Sequence, residues 1–180
     1  YLTISDIAAF TNGQSKASFF WLLNCSASAI DRDCVAETAV NNDNGGSIAT
    51  FGSTRYAFPT TLRNYYWEWL DQFYNDDVLE MGVSCAMCKA AFAAPGQSGF
   101  DNTNRWTQFA MVLLGDPQLA MWSERPVALA AAHPGSMQVG DSGITVTVTD
   151  PSPVDSALVC VSGDNGVYSY GATNGAGQGT

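Results

Sequence analysis

A short apolar run that stops at a polar residue and a thiol constrains this chain more than any other feature. Residues 19–23 (FFWLL) are apolar, and Asn24 and Cys25 follow them directly. Such a run, bounded by small polar residues, is typical of a strand buried in an α/β sheet. The carboxyl ends of parallel strands are where these sheets hold their functional groups. The pattern therefore predicts that Cys25 lies where a catalytic nucleophile would lie.

A helix and a second strand follow Cys25 with the spacing of a βαβ unit. Residues 34–40 have a helical pattern, residues 41–46 (NNDNGG) are typical of a turn, and residues 47–51 form another apolar run. We expect the two strands to be parallel neighbours joined by a right-handed crossover. Residues 51–59 would then leave the sheet at the same edge as Cys25, which predicts a substrate pocket there.

The remainder of the first part is predicted to be mainly helical. Helices are expected over residues 6–10, 62–74, 78–94 and 102–114, and a last short strand over residues 118–122. Pro95 and Gly96 are predicted to stop the third of these helices, and Gly115 with Pro117 the fourth.

The character of the sequence changes towards the C-terminus. Residues 144–149 (ITVTVT) alternate strictly, and residues 157–162 and 167–170 have short strand patterns with turn residues between them. This spacing is typical of a β-sandwich, but three or four strands are too few to close one. We predict two domains, an incomplete α/β domain over residues 1–125 and a partial β-sandwich over residues 126–180.

Charge, apolar content and cysteine count narrow the function classes. Seventeen acidic residues against seven basic ones give a net charge of −10, which argues against attraction to nucleic acid or anionic lipid. No apolar run reaches the length of a membrane span. Five cysteines are too few for a dense disulfide framework, and the low lysine content suits an exported protein. The chain lacks a starting Met, and we expect it to be an excised or processed fragment.

Other candidate sites have simpler structural interpretations. His133 is the single histidine, and an exposed linker position is favoured for it over a role as a base. Cys85 and Cys88 form a CxxC pair that could bind zinc or act as a dithiol, but no second pair completes a zinc site, so packing on a helix is favoured.

A structural role is also favoured over a binding role for one polar and one aromatic cluster. Residues 42–45 (NDNG) contain oxygen ligands for calcium, but no closing carboxylate follows, so a turn is favoured. Four neighbouring aromatic residues could stack on sugars, but we expect them to cover the sheet, because aromatic side chains dominate cores. They are Tyr65, Tyr66, Trp67 and Trp69.

The order of motifs resembles that of the gingipain-type cysteine peptidases, peptidase family C25, which belong to the caspase-like group. NC-x5-D-x2-C-x-AE begins at Asn24, GG-x-IA-x-FGST begins at Gly45, aromatic helices follow, and LLGDP-x-L begins at Leu113. The resemblance runs from about Leu2 to Trp122. A looser likeness links the tail to the immunoglobulin-like domain that follows the catalytic domain in that family.

The resemblance implies a fold, an activity and a set of site residues. The fold would be an incomplete caspase-like α/β sandwich, with helices flanking a parallel sheet, followed by a partial Ig-like β-sandwich. The activity would be that of a secreted or cell-surface endopeptidase that cleaves protein or peptide substrates with a Cys/His dyad. Cys25 would be the nucleophile, and its backbone N–H would form half of the oxyanion hole. The implied substrate-binding residues are Leu23, Asn24, Ser53, Thr54 and Tyr56.

The family's dyad histidine lies upstream of the cysteine and is followed by a glycine, whereas the 24 residues before Cys25 contain no histidine. We therefore expect the base to come from a missing N-terminal part of the chain's own precursor. One alternative is an inactive pseudo-peptidase that serves as an extracellular surface or secretion-linked binding module. Another is a relative that cleaves sorting signals as a transpeptidase. No metal or cofactor is expected, a structural calcium ion being the one exception left open.

Overall fold

The computed structural model describes residues 2–13, 16, 18–96, 99, 102–123, 125–138, 140–163, 166 and 168–180. The chain divides into two units, Tyr1–Ser123 and Glu124–Thr180. The elements of the first unit are α1 (Ile4–Ala8), β1 (Ser18–Leu22), α2 (Val35–Val40), β2 (Ser47–Ser53), α3 (Pro59–Tyr74), α4 (Met81–Ala91), α5 (Ala93–Gly96), α6 (Thr103–Ala110) and β3 (Met111–Leu114).

The first unit is built on a three-stranded sheet in the order β1-β2-β3. Strands β1 and β2 are parallel neighbours, as the βαβ pattern predicts, with Trp21 opposite Phe51. Strand β3 is antiparallel to β2, with Leu113 opposite Phe51. Because β1 and β2 run in the same direction, the segments that follow both strands leave the sheet at one edge.

One face of this sheet is covered by aromatic side chains. Phe19 and Trp21 alternate to the same face and contact Trp69 of α3, with ring centroids 5.2 and 5.6 Å away. Tyr65, one turn earlier on α3, is fully buried and stacks on Phe92 at 4.4 Å. Trp69 and Tyr66 therefore cover the sheet, as expected from the sequence, but the same expectation is wrong for Trp67, which points away from the core and is 61% exposed.

The first helix begins earlier than its pattern indicates. Thr3 and Asp6 form a capping box, in which the Thr3 hydroxyl accepts from the Asp6 N–H and the Asp6 carboxylate accepts from the Thr3 N–H. This reciprocal pair satisfies two backbone donors and starts α1 at Ile4 rather than at residue 6. Phe20, on the opposite face of β1 from Trp21, meets Phe10 edge-on at 6.3 Å.

The prediction of one helix over residues 102–114 is wrong in its last turn. Helix α6 ends at Ala110, and Met111 is already extended, with φ −76° and ψ 130°. The apolar residues from Met111 to Leu114 pair with β2 instead. Pairing with a distant strand outweighs the local helical pattern here, because propensity is a weak constraint beside tertiary contacts.

The predicted strand over residues 118–122 is also wrong. Ala120 makes a single bridge to Glu80, and the Met121 N–H donates to the Leu79 carbonyl at 2.8 Å. This segment runs beside the start of α4 without joining the sheet, although Met121 is buried in the core.

The helix expected over residues 78–94 is divided in two. Helix α4 begins at Met81 and ends at Ala91, and the short α5 includes Pro95 and Gly96 instead of stopping before them. Proline is tolerated there because the first N–H groups of a helix have no partner within the helix.

The second unit contains only β-strands among its described residues. They are β4 (Ala130–Ala132), β5 (Val146–Asp150), β6 (Ser152–Pro153), β7 (Leu158–Ser162), β8 (Tyr168–Ala172) and β9 (Gln178–Gly179). Strand β5 pairs with β4, β6 and β9, and β7 pairs with β8 in a separate antiparallel hairpin. The strands predicted from residues 144 and 157 are thus present as β5 and β7. The last predicted strand begins at Val167, which lies outside the described residues.

Candidate functional site

Cys25 lies three residues beyond the end of β1 and is exposed. The turn that carries it is tied to the chain that leaves β2. The Ser26 N–H donates to the Arg55 carbonyl at 2.9 Å, and the Ser28 N–H donates to the Ser53 carbonyl at 3.0 Å. Ser26 has φ 54°, in the left-handed region that serine seldom adopts. The fold therefore holds the residue after Cys25 in a strained conformation at this edge of the sheet.

The close approach of these two segments depends on Gly52 of β2. A Cβ at this position would lie 2.6 Å from Ser28 Oγ and 2.9 Å from Leu22 Cβ. Both distances are shorter than a Cβ atom tolerates to a neighbouring oxygen or carbon, so glycine at this position lets the Cys25 turn pack against β2 in this way.

The Cys25 sulfur is held by the backbone of Ala57. Sγ lies 3.3 Å from the Ala57 nitrogen, whose N–H donates to it, and 3.7 Å from the Ala57 carbonyl oxygen, which a thiol can reach as a donor. The backbone of Ala57 thus offers its N–H as a donor to the thiolate form of Cys25 and its carbonyl as an acceptor to the thiol form. A thiolate gains more from the N–H, because hydrogen bonds to charged groups are the stronger ones.

The backbone N–H of Cys25 makes no hydrogen bond within the part of the chain that the structure describes. Cys25 is exposed, so the N–H is not sealed in a packed core. A donor of this kind next to a nucleophile is what an oxyanion requires.

The predicted substrate-binding residues occupy different positions around this turn. Leu23 (45% exposed) and Asn24 are exposed beside Cys25. Tyr56 is 78% exposed, and its carbonyl accepts from Trp106 Nε1 at 2.6 Å. Ser53 is buried, and its hydroxyl donates to the Arg55 carbonyl at 3.0 Å. Ser53 therefore shapes the loop rather than offering a surface.

A cavity of about 710 Å³ borders the same loop. Its walls come from the residues after β2 and from helix α6: Thr54, Arg55, Phe58, Asn102, Arg105, Trp106, Phe109 and Ala110. Of the residues predicted from the sequence only Thr54 lines it. The contribution of α6 was missed, because the sequence shows Arg105, Trp106 and Phe109 on one helix but does not show that this helix lies beside the loop after β2.

Arg55 links the cavity to the Cys25 turn. Its guanidinium lies 3.1 Å from the Asp31 carboxylate and 2.8 Å from the Thr54 carbonyl. Hydrogen bonds from its own backbone and from Arg55 lower the pKa of Asp31, which is therefore ionised at neutral pH. Both side chains are more than half exposed, so the pair contributes little to stability and chiefly orients Arg55.

Three of the other cysteines, Cys34, Cys85 and Cys88, are buried and therefore unsuited to nucleophilic chemistry, and Cys160 is exposed but belongs to the second unit. All five are free, and Cys85 and Cys88 are buried on α4. Burial raises the pKa of Cys85 to about 12 and also raises that of Cys88, whose thiol donates to the Tyr65 carbonyl at 2.9 Å. The CxxC pair thus packs in the core as two protonated thiols.

The remaining candidate ligands do not assemble into a metal site. No group of three or more His, Cys, Asp or Glu that could hold a metal ion occurs among the described residues. Asn42, in the segment considered for calcium, donates its amide to the carbonyls of Ile7 and Phe10 at 3.0 and 3.1 Å. His133 is exposed in the second unit, with Nδ1 2.9 Å from the Pro134 carbonyl.

Comparison with known proteins shows similarity to cysteine peptidases in both sequence and structure. A sequence profile of Peptidase family C25 matches residues 1–122. The Arg-specific cysteine proteinase gingipain R (RgpB) is 14% identical, with a TM-score of 0.76 over 98% of this chain and 41% of that one. A complex of the Porphyromonas gingivalis RgpB pro- and mature domains is 14% identical, with a TM-score of 0.72 over 97% of this chain and 41% of that one.

A third structure, described only as a protease, is 19% identical, with a TM-score of 0.70 over 98% of this chain and 43% of that one. No protein of curated function matches the sequence. The chain spans about two-fifths of the length of these structures. At such identities the likeness establishes the fold, which is the α/β fold of gingipain. In the described part of the chain no helix has both the length and the apolar character to cross a bilayer.

Proposed function

This chain belongs to peptidase family C25, and from that membership we propose that it carries the nucleophile of a secreted cysteine endopeptidase. The observation that supports this most directly is the position of Cys25. Its sulfur is exposed at the carboxyl edge of a parallel strand pair and is held against the Ala57 N–H, and among the described residues none accepts from its own backbone N–H.

The proposed reaction follows from these contacts. The Cys25 thiolate, with the Ala57 N–H as donor, attacks the carbonyl carbon of a peptide bond, and the electron pair moves onto the oxygen. The Cys25 N–H stabilises that oxyanion. When the tetrahedral intermediate collapses, the amine leaves and an acyl-enzyme remains. The amine takes up the proton that the Cys25 thiol had given to the base. Water then cleaves the thioester and regenerates the thiol.

The base is proposed to come from outside this chain. His133 is exposed and bonded to the adjacent Pro134 carbonyl, and it belongs to the second unit. We propose that an imidazole from the N-terminal part of the precursor completes the dyad. In the same proposal, residues 1–125 are the C-terminal part of the peptidase domain and residues 126–180 begin an Ig-like domain. Leu23, Asn24, Thr54 and Tyr56 contact the substrate, and Ser53 supports their loop.

Labelling of the full-length protein with a peptidyl acyloxymethyl ketone tests this proposal. We expect one adduct, located on Cys25 by mass spectrometry, because only a thiolate at a formed active site displaces the carboxylate leaving group. Cys25→Ala should abolish the adduct, and Cys160→Ala, at the other exposed thiol, should retain it. Absence of a Cys25 adduct under reducing conditions would contradict the proposal.

A second candidate is an inactive surface or secretion-linked binding module. The observation in its favour is that the residues before Cys25 include no histidine and that the single histidine lies in the second unit. It requires that the parent gene encode no His-Gly pair upstream of Tyr1. Sequencing the preceding hundred or so codons distinguishes the two candidates, because the peptidase requires that pair.

A further inference from the structure

We propose that the cavity between helix α6 and the loop after β2 binds a segment of the polypeptide substrate in which an acidic residue neighbours an aromatic or aliphatic one. A carboxylate of the segment would pair with Arg105, and the neighbouring apolar side chain would lie against Trp106 and Phe109. The proposal rests on the proposed function, since it concerns the substrate of the same site, but binding to the cavity requires no reaction at Cys25.

The position of the cavity connects it to the thiol. Ala57 contacts the Cys25 sulfur, while Phe58, the next residue, lines the cavity. Arg55 likewise accepts the Ser26 N–H through its carbonyl and lines the cavity. One loop therefore contacts the Cys25 turn and also forms part of the cavity wall, so a polypeptide held at Cys25 lies next to residues that border the cavity.

The size and lining of the cavity suit a peptide side chain with its flanking backbone. Its volume of about 710 Å³ lies within the usual range of roughly 300–1,000 Å³ for ligand sites. Three aromatic side chains on its walls remain accessible: Phe58 is 43% exposed, Trp106 is 47% exposed and Phe109 is 81% exposed. Large exposed aromatic side chains that converge on one concave surface are typical of an interaction site.

The charge of the cavity determines which segment it favours. The chain has seven basic residues in all, and two of them, Arg55 and Arg105, line this cavity, whereas none of the described residues in its walls carries a carboxylate. The Arg105 guanidinium forms no ion pair or hydrogen bond with the residues that the structure describes. Arg55 is already paired with Asp31, so Arg105 is the cation that remains for a ligand. Guanidinium groups bind carboxylates in a planar, two-point geometry, which favours Asp or Glu.

The walls are fixed by hydrogen bonds that do not involve a ligand. Trp106 Nε1 donates to the Tyr56 carbonyl at 2.6 Å, and the Thr54 N–H donates to the Ala110 carbonyl at 2.8 Å. Both bonds join the loop after β2 to α6, the two segments that form the cavity walls. A site that is formed before binding loses less entropy when the ligand arrives.

Fluorescence anisotropy with two labelled peptides tests the proposal on this chain. The first is fluorescein-Leu-Asp-Phe-Asp-amide, and the second replaces both Asp residues by Asn. We expect the acidic peptide to bind about tenfold more tightly than its amide analogue, since charged hydrogen bonds are the stronger ones. Arg105→Gln should remove that preference, and Arg63→Gln, at an exposed arginine on α3 that does not line the cavity, should keep it.

Two further variants distinguish binding at the cavity from misfolding and from the reaction at Cys25. Phe109→Ser removes an aromatic wall at a position 81% exposed and should weaken binding of both peptides. Cys25→Ala should leave binding unchanged, so a failure of Cys25 labelling and a failure of this proposal would be seen separately. Equal affinities for the two peptides in the unaltered chain, or an unchanged preference in Arg105→Gln, would overturn the proposal.

Discussion

At the scale of single residues, the Ala57 N–H is the one group in the described structure that donates to the proposed nucleophile. The bond joins its nitrogen to Cys25 Sγ over 3.3 Å. A backbone donor cannot rotate away as a side chain can, so it stabilises the thiolate whenever the loop is in place. This contact joins residues 32 positions apart, so it results from tertiary structure and has no counterpart in the sequence pattern.

Removal of that N–H should slow the reaction of Cys25 with an alkylating reagent. Ala57→Pro lacks the donor, and the loss of about 1 kcal/mol for one hydrogen bond corresponds to about a fivefold lower rate. The measurement is the rate of iodoacetamide addition to Cys25 at neutral pH, followed by mass spectrometry. Ala57→Gly keeps the N–H and serves as the control. An equal rate in Ala57→Pro and Ala57→Gly would show that the contact does not stabilise the thiolate.

The position of Cys25 itself was accessible from the sequence. An apolar run followed by Asn24 and Cys25 is a local pattern, and the end of a strand is a local event, so the thiol could be assigned to the edge of the sheet. The cavity was not accessible, because its walls come from Thr54, Arg55 and Phe58 on one side and from Arg105 and Phe109 on the other. Only the completed fold brings these residues together.

At the scale of elements, prediction succeeded where an element is specified by its own periodicity. Strands β1 and β2 and helix α3 follow from apolar runs and from an aromatic helix, and they are present. Strand β3 was read as the end of a helix, since its identity depends on hydrogen bonds to β2, about sixty residues earlier. Non-local pairing of this kind leaves only a weak signal in a short apolar segment.

Helix α4 carries groups whose titration should make stability depend on alkaline pH. Burial raises the pKa of Cys85 from 9.0 to about 12 and raises that of Cys88 as well. The folded protein therefore keeps protons that the unfolded thiols release, so this stability is complete below pH 9 and is lost as the pH rises towards 12. Lys89 acts in the opposite direction, because burial lowers its pKa from 10.5.

The test compares the free energy of unfolding at about pH 8 and about pH 10 by urea titration with a phosphine reductant. Cys85→Ala combined with Cys88→Ala should be less stable at pH 8, because two buried sulfur atoms are lost. Its stability should nevertheless fall less on going to the higher pH than that of the unaltered chain. Ser84→Ala, also buried on α4 but not titratable, is the control and should retain the full decrease. Parallel decreases in all three proteins would contradict the assignment.

At the scale of the whole molecule, the two units differ in how much apolar surface they bury. The first unit holds two clusters of buried side chains around Tyr65, Trp69 and Phe51. In the described part of the second unit, Val146 and Val148 are the buried apolar side chains, while Leu158, Tyr168 and Tyr170 are more than 60% exposed. Burial of apolar surface is the main favourable term in folding, so resistance to local opening should be concentrated in the first unit.

Hydrogen exchange followed by mass spectrometry should reveal this difference. We expect amides of β2 and α3 to exchange at least about a hundredfold more slowly than those of β7 and β8, because exchange in the hairpin requires only local opening. Peptides from β5, which pairs with three other strands, should be intermediate. Comparable protection in β2 and β7 would mean that the second unit is stabilised by contacts beyond those described.

Helix α6 passes into strand β3 without an intervening residue, since Ala110 ends the one and Met111 begins the other. We therefore expect selection against insertions and deletions in this segment. One inserted or deleted residue in the helix would rotate the cavity wall by about 100° relative to the strand, and one in the strand would exchange its buried and exposed faces. Length variation among homologues should therefore accumulate in the turns on either side of this segment and spare the segment itself.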